Sequence, residues 1–309
     1  MKELLSNKVT WIDLTSPTNE ELEALEKELK VPETILNQIR IPSNRNKMEF
    51  YHDFFYAVLY FPIWNEETKT SKPVELDIIV FKNYIITIKY CDLLTPLNEF
   101  IETCEICNKE ERENFIGKTT YETFYHIVQS LLEFSRRQLK HIEEKILIVE
   151  EEVFAMNTSK DNQKLIYSTL SIKRDLLGFR RIFLTLQNAL IGIDYKGEQF
   201  WGDAAKPYLL DLINDSNKVW NHIEHHYDLL QSLEETLYTL INNNINALTK
   251  IYTIISFIAW PTLLIISWYQ TNTQSLPFVG RHFDSYIVFG IALIPSTIIY
   301  WFLRKNKLI

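Results

Sequence analysis

A chain of 309 residues exceeds one typical domain of roughly 150, so a globular part joined to something extended is expected. The net charge of −8 argues against a nucleic-acid polymer as partner, because such binders need a basic surface to displace counterions from phosphates. Three cysteines are too few and too odd in number for a disulfide scaffold, and with only 7 Gly and 10 Pro the composition favours a helix-rich chain without low-complexity linkers.

Residues 1–13 hold no apolar core of the length a signal peptide needs. Thr18-Asn19-Glu20-Glu21 opens a charged helix that ends near Leu29, ahead of Pro32. Strand-like runs follow at 54–61, 76–81 and 84–88, the last two separated at Asn83 either as a hairpin or as successive strands. Of Cys91, Cys104 and Cys107, the last two form a lone CxxC without a second pair, which reads as reduced thiols in a cytosolic helix rather than as a zinc or redox motif. After Lys118 the pattern turns helical. One stretch, 119–156, carries the acidic residues Glu143, Glu144, Glu150, Glu151 and Glu152, more often a solvated face than a cation store. Another helix runs from about 161 to 191, and a turn-like segment, 192–206, precedes the last and longest helix.

In that helix Leu209, Leu212, Ser216, Val219, Ile223, His226, Leu230, Leu233, Leu237, Leu240, Asn244 and Ala247 recur at alternating spacings of three and four. This is a heptad seam, and it predicts coiled-coil-like packing. No proline lies between Pro207 and Pro261, so one helix over about 208–269 is expected. His222 and His226 stand one turn apart with Glu224 and His225 beside them, which is metal-ligand spacing; His226 also falls on the seam, where packing alone accounts for it.

Residues 251–269 and 286–303 contain no charge. At about 1.5 Å per residue each reaches roughly 27–29 Å, enough for a hydrocarbon core of about 30 Å. Trp268, Tyr269, Tyr286, Tyr300 and Trp301 stand at the ends, where aromatic belts form. Lys250 precedes the first span and Arg304, Lys305 and Lys307 follow the second, whereas the loop between holds only Arg281. The positive-inside rule therefore predicts a multi-pass protein of the cell's inner (plasma) membrane with both termini cytoplasmic.

A second stripe begins where the seam ends. Asn246, Thr249, Thr253, Ser256, Trp260, Leu263, Ser267 and Gln270 share one helix face, and most of them are polar. Polar side chains in lipid turn toward a protein interior or a water-filled cavity. About five copies around an axis would line a narrow neutral pore with an apolar constriction at Trp260 and Leu263; helix–helix packing is the alternative.

The whole chain, in order, resembles the CorA family of divalent-cation channels and transporters. WIDLTSPTNEELEALEKELKVPE is similar to the family's opening, and RNKMEFYHDFFYAVLY to its strand-rich middle. Asn246 matches a pore-facing asparagine, Pro261 a proline of the first span, Tyr269 the tyrosine before the signature loop, and Leu276-Pro277 the loop's Met-Pro. The signature Tyr-Gly-Met-Asn is replaced by Tyr269-Gln270-Thr271-Asn272, and Gln274 stands where many relatives carry an acidic residue.

The resemblance implies an α+β cytosolic domain with long helices, a continuous stalk helix and two transmembrane helices, assembled as a funnel-shaped homopentamer. The expected division is 1–117 N-terminal α/β domain, 118–206 long cytosolic helices, 207–250 stalk, 251–269 first span, 270–285 extracytoplasmic loop, 286–303 second span and 304–309 basic tail. It further implies a selectivity mouth at Gln270, Thr271 and Asn272, presenting oxygen atoms to a hydrated cation. Asp211, by ungapped counting from Asn246, takes the place of the mid-stalk regulatory carboxylate, with Asp92 as its partner on the N-terminal domain. The implied cargo and regulator is Mg²⁺ or, as in the ZntB branch, Zn²⁺, Co²⁺ or Ni²⁺, with no tightly bound cofactor. Family members associated with CRISPR defence supply the alternative: a membrane effector channel opened by a small-molecule or nucleotide signal, without Mg²⁺ selectivity. No phosphate loop, nucleophile elbow or catalytic metal motif occurs, so an enzyme is not expected.

Overall fold

The computed structural model describes residues 2–5, 8–43, 47–155, 162–271, 276–278, 280 and 283–306. The chain divides into two units, Met1–Glu234 and Glu235–Ile309. The first is organised by a six-stranded sheet of β1 (Lys2–Leu5), β2 (Thr10–Thr15), β3 (Lys47–Phe50), β4 (Phe54–Asn65), β5 (Thr70–Phe81) and β6 (Tyr84–Lys89). Their spatial order is β1-β2-β6-β5-β4-β3, and only the β2–β6 pair is parallel. β4 and β5 pair along their full length, from Phe54 opposite Phe81 to Asn65 opposite Thr70, and β5 returns as β6 in a hairpin through Lys82 and Asn83. The three strands expected from the sequence are thus present and longer. β1 and β3 are only four residues each, and β2 interleaves apolar and polar residues too briefly to stand out.

Both faces of the sheet are covered, which is why β4 reads as an unbroken apolar run rather than an alternating one. Tyr56 and Val58 face a cluster with Leu22 and Leu25 of α1 (Asn19–Leu29) and Ile35 and Leu36 of α2 (Glu33–Gln38). Phe55 faces the other way, its ring 5.9 Å from Phe124, 5.4 Å from Phe200 and 5.0 Å from Trp201. Thr18 starts α1 as expected: its hydroxyl accepts from Glu21 N while the Glu21 carboxylate accepts from Thr18 N, satisfying two orphan helix-end groups at once.

The lone CxxC brackets the end of α3 (Thr95–Ile106), which precedes α4 (Lys109–Ile116). Cys104 is buried, and burial pushes its thiol up to about 11; Cys107 is half-buried, and all three thiols are free. Arg112 of α4 donates to the carbonyls of Cys104 at 2.7 Å and Cys107 at 3.2 Å, so the pair marks a helix–helix corner.

A buried polar centre lies on the face covered by α1 and α2. Asp77 is fully buried, and its Oδ2 accepts from Tyr56 OH at 2.8 Å and Tyr90 OH at 3.1 Å. Its Oδ1 has no hydrogen-bond partner. Glu75, two residues away on the same strand face, accepts from Tyr60 OH at 2.5 Å and Ser43 N at 2.8 Å. Burial, and then the neighbouring Glu75 charge, push the Asp77 carboxyl up to about 8. A proton on Oδ1 supplies the donor that two adjacent carboxylates otherwise lack.

α5 (Thr120–Phe154) and α6 (Asn162–Trp201) pack on the sheet. Met156 and Asp161, which bounded the sequence expectation for these helices, lie outside the described residues. The turn expected at 192–206 is a correction: α6 continues to Trp201, and only Gly202 (φ 86°) and a 3-10 turn, Asp203–Ala205, separate it from α7 (Lys206–Tyr269). Gly192 and Gly197 are spacing residues, not turn residues. A β-carbon at Gly192 would stand 3.1 Å from Met48 Cε, and one at Gly197 3.0 Å from Leu209 Cδ1.

α7 is unbroken over 64 residues and contributes to both units; Pro207 sits in its first turn, where a missing N–H costs nothing. In the first unit the seam residues Leu209, Leu212, Ser216, Val219, Ile223, His226, Leu230 and Leu233 are all buried. Arg180 of α6 grips Glu224 of α7 through two bonds of 2.7 and 3.2 Å, Lys173 bonds Glu234, and Gln187 donates to Asn217 at 2.8 Å. Further along, Leu237 is buried, Leu240 half-buried, and Asn244 and Ala247 exposed, so the burial of the seam ends before its sequence pattern does.

Candidate functional site

Among the described residues three helices are long and apolar enough to cross a membrane: α6, α7 and α8 (Asp284–Lys305). The apolar window of α6 is 50% buried within the protein, against 0% and 11% for α7 and α8. The hydrophobicity of α6 is therefore explained by the sheet and α5 that it covers; that of the other two has no such explanation.

Within the second unit α7 meets α8 through a half-buried face that includes Ile258, Thr262, Ile265 and Ile266. Thr262 Oγ1 is 3.0 Å from the Ala292 carbonyl, Ser296 Oγ is 2.5 Å from the Ile258 carbonyl, and the two hydroxyls are 2.6 Å apart. Ala292 and Ser296 are the buried residues of α8. Small side chains let apolar helices approach closely, and hydroxyls join them where no water competes. Pro261 and Pro295 lie inside their helices next to these hydroxyls, a placement tolerated where neighbouring groups take up freed carbonyls. Neither hydroxyl was singled out from the sequence. The available signal was one Ser or Thr beside a proline in each uncharged span.

The polar stripe occupies the opposite side of α7. Asn246, Thr249, Thr253, Ser256, Trp260, Leu263, Ser267 and Gln270 are all exposed, Trp260 at 67% and Leu263 at 59%. At about 100° per residue their mean direction lies roughly opposite that of the face packed on α8. Thr253 and Ser256 turn their hydroxyls back to the carbonyls of Thr249 and Tyr252, at 2.8 and 2.9 Å, leaving their oxygens as outward acceptors. At the end of the helix Gln270 N bonds the Ile266 carbonyl at 3.1 Å, and Thr271 Oγ1 the Trp268 carbonyl at 2.7 Å. Asn272 and Gln274, together with Arg281 and Lys307, lie outside the described residues.

In the first unit Asp211, on the second turn of α7, is half-buried and accepts from Tyr125 OH of α5 at 2.6 Å. Burial and this carboxylate hold the tyrosine well above its ordinary pKa. Tyr125 was not foreseen, since only the fold brings 125 to 211. Asp92 is exposed in the turn after β6, where its backbone carbonyl accepts from Asn98 Nδ2 at 3.3 Å. His222 is exposed, His226 is buried, and their rings are 6.4 Å apart. Burial lowers the pKa of His226, while Glu224 between them is committed to Arg180. Among the described residues no group of three or more His, Cys, Asp or Glu side chains is placed to hold a metal ion. The acidic residues Glu143, Glu144, Glu151 and Glu152 of α5 are exposed to solvent and Glu150 is half-exposed.

A family model described as "CorA-like Mg2+ transporter protein" matches residues 6–305. The chain belongs to the CorA family. It is 20% identical over 305 residues to the cobalt/magnesium transport protein CorA of Thermotoga maritima, covering 98% of this chain and 84% of that one. It is also 20% identical over 303 residues to the cobalt/magnesium transport protein CorA of Methanocaldococcus jannaschii, with 97% and 91% covered. The solved complete structure of the M. jannaschii CorA magnesium transporter matches with a TM-score of 0.78 at 19% identity, covering 98% of this chain and 92% of that one. The ZntB cytoplasmic domain from Vibrio parahaemolyticus matches with a TM-score of 0.56 at 13% identity, over 77% and 89% of the two chains. At such identities the structural likeness establishes the CorA fold: a helix-rich body with long helices and candidate membrane-spanning helices.

Proposed function

We propose that this CorA protein is a channel for divalent metal cations, assembled as a homopentamer in the plasma membrane, with the polar face of α7 lining the pathway. The observation that carries the proposal is the exposed stripe from Asn246 to Gln270, set opposite the α8 contact on a helix apolar enough to span lipid. A lipid-facing position is unfavourable for this many amides and hydroxyls, and two helices per protomer enclose no pore. Copies arranged around an axis solve both problems. The spans are then 251–269 and 286–303, with α6 kept in the cytoplasmic body and both termini inside.

In this arrangement acceptor oxygens of Thr249, Thr253, Ser256 and Ser267 face a cation that keeps its water shell, a mode suited to Mg²⁺, which dehydrates reluctantly. Trp260 and Leu263 form an apolar ring that closes by dewetting. Gln270, Thr271 and Asn272 form the mouth. Cytoplasmic divalent cations bound through Asp211, with Asp92 contributed across protomers, favour the closed state by differential affinity.

Ion flux into proteoliposomes, comparing Mg²⁺, Zn²⁺, Co²⁺ and K⁺ for the wild type and Asn272→Ala, tests this reading. Divalent flux that is lost in the variant is expected. Absence of divalent flux, or flux indifferent to Asn272, overturns it.

A further inference from the structure

The first unit contains a cavity of about 1160 Å³ that the ion pathway does not use. Its lining reverses the charge balance of the chain. The whole protein has 40 acidic against 32 basic residues, whereas Lys8, Lys82, Lys118 and Lys196 line the cavity against one carboxylate, Asp53. Asp53 is at the rim, its side chain 85% exposed.

Three of these lysines come from segments converging at one end of the sheet. Lys8 precedes β2, whose Thr10 N donates to the Asn83 carbonyl at 3.0 Å, next to Lys82 in the β5–β6 turn. Thr120 Oγ1, in the first turn of α5, contacts the Lys82 carbonyl at 3.4 Å, and Lys118 lies two residues before it. The same end also carries the amino end of a 35-residue helix, whose dipole favours negative charge, although Thr119 caps it by accepting from Glu122 N. The acid nearest that end, Glu122, is engaged by Lys118 N at 2.5 Å and Tyr208 OH at 3.5 Å.

The lining is also rich in aromatic side chains. Phe50 and Tyr51 come from β3 and its exit, Phe200 and Trp201 from the end of α6, and Tyr121 from α5. Lys196 Nζ lies 5.4 Å from the centre of the Phe50 ring. Trp201 is fixed by donation from Nε1 to Thr120 Oγ1 at 3.0 Å, so its ring is held in place at the cavity edge.

We propose that this cavity binds a phosphorylated aromatic metabolite of the nucleotide class, its phosphates on the lysines and its ring on the aromatic side chains. Charge alone would recognise any polyanion, and ring faces alone any flat heterocycle. Lysines and aromatic rings in one lining together select a molecule carrying both, and the volume accommodates one of nucleotide size or somewhat larger. The site is remote in sequence from the polar stripe, and the inference stands independently of cation conduction.

The test is titration calorimetry on the full chain in detergent, without divalent cations, using ATP, adenosine and inorganic tripolyphosphate. ATP binding at least tenfold tighter than adenosine or tripolyphosphate is expected, weakened at least tenfold by the double substitution Lys82→Glu and Lys118→Glu. Both lysines are exposed, and unchanged far-UV circular dichroism verifies that the variant is folded. No ATP binding by the wild type, equal affinity for tripolyphosphate, or affinity unaltered in the folded variant overturns the proposal. Because the readout is binding, its failure leaves the flux result untouched, and the converse also holds.

Discussion

The Asp77 carboxyl makes a pH dependence calculable. Held at about 8 in the folded protein against 3.8 for an ordinary aspartate, it keeps a proton that the unfolded chain releases. The folded state therefore binds more protons between these two values, and stability falls as pH rises through that window. Integrated from pH 5 to pH 8, the loss is on the order of 4 kcal/mol. Asp77→Asn replaces the protonated carboxyl by a neutral group of the same shape. Its amide oxygen accepts from Tyr56 and Tyr90, and its NH₂ donates toward Glu75. The variant should exceed the wild type by a margin that grows by about 4 kcal/mol between pH 5 and pH 8. His126 and His226, both lowered by burial, act in the opposite sense, adding stability as pH rises, so the difference between the proteins isolates Asp77. Guanidinium unfolding of the full chain in detergent, followed by tryptophan fluorescence at several pH values, measures that difference. A difference that does not change with pH would refute the reasoning.

Two further outcomes are expected. Asp211→Ala should raise resting divalent flux severalfold in proteoliposomes, and Tyr125→Phe, which removes the 2.6 Å bond to the carboxylate, should move flux in the same assay; unchanged flux in both counts against a regulatory Asp211. Ser296→Ala should weaken the α7–α8 contact by about 0.6 kcal/mol in SDS-titration unfolding, and a loss of several kcal/mol would mean that the hydroxyl supports more than one helix pair.

Elements with a repeating signal were legible in the sequence. The three-and-four spacing from Leu209 to Leu233 appears as an unbroken buried seam, and the uncharged spans as α7 and α8. Where the meaning of a residue depends on a distant neighbour, the sequence misled. Gly192 and Gly197 look like turn punctuation until Met48 and Leu209 are seen against them. The first half of β5, Thr70-Ser71-Lys72-Pro73, has no strand signature of its own and is ordered by pairing with β4. Asp77 looks like a surface alternation beside Leu76, since its tyrosine partners come from β4 and from the residue after β6. The polar stripe was visible as a face, but the Thr262–Ser296 pair behind it needed two helices. The basic and aromatic lining of the cavity, gathered from five separate segments, had no local signal at all.

The crossed hydroxyls of α7 and α8 have a consequence for how this pair is made. Ile258 precedes Thr262 by four residues, and Ala292 precedes Ser296 by four. Each hydroxyl, on a helix standing alone in lipid, can return to its own helix's carbonyl, the habit seen at Thr253 and Ser256. Docking then replaces each bond within a helix by a bond between the two helices. Such an exchange adds little strength. It does favour one sliding position of the helices, because both cross-helix bonds are formed together in a single register. Serine and threonine here act as a vernier rather than a glue.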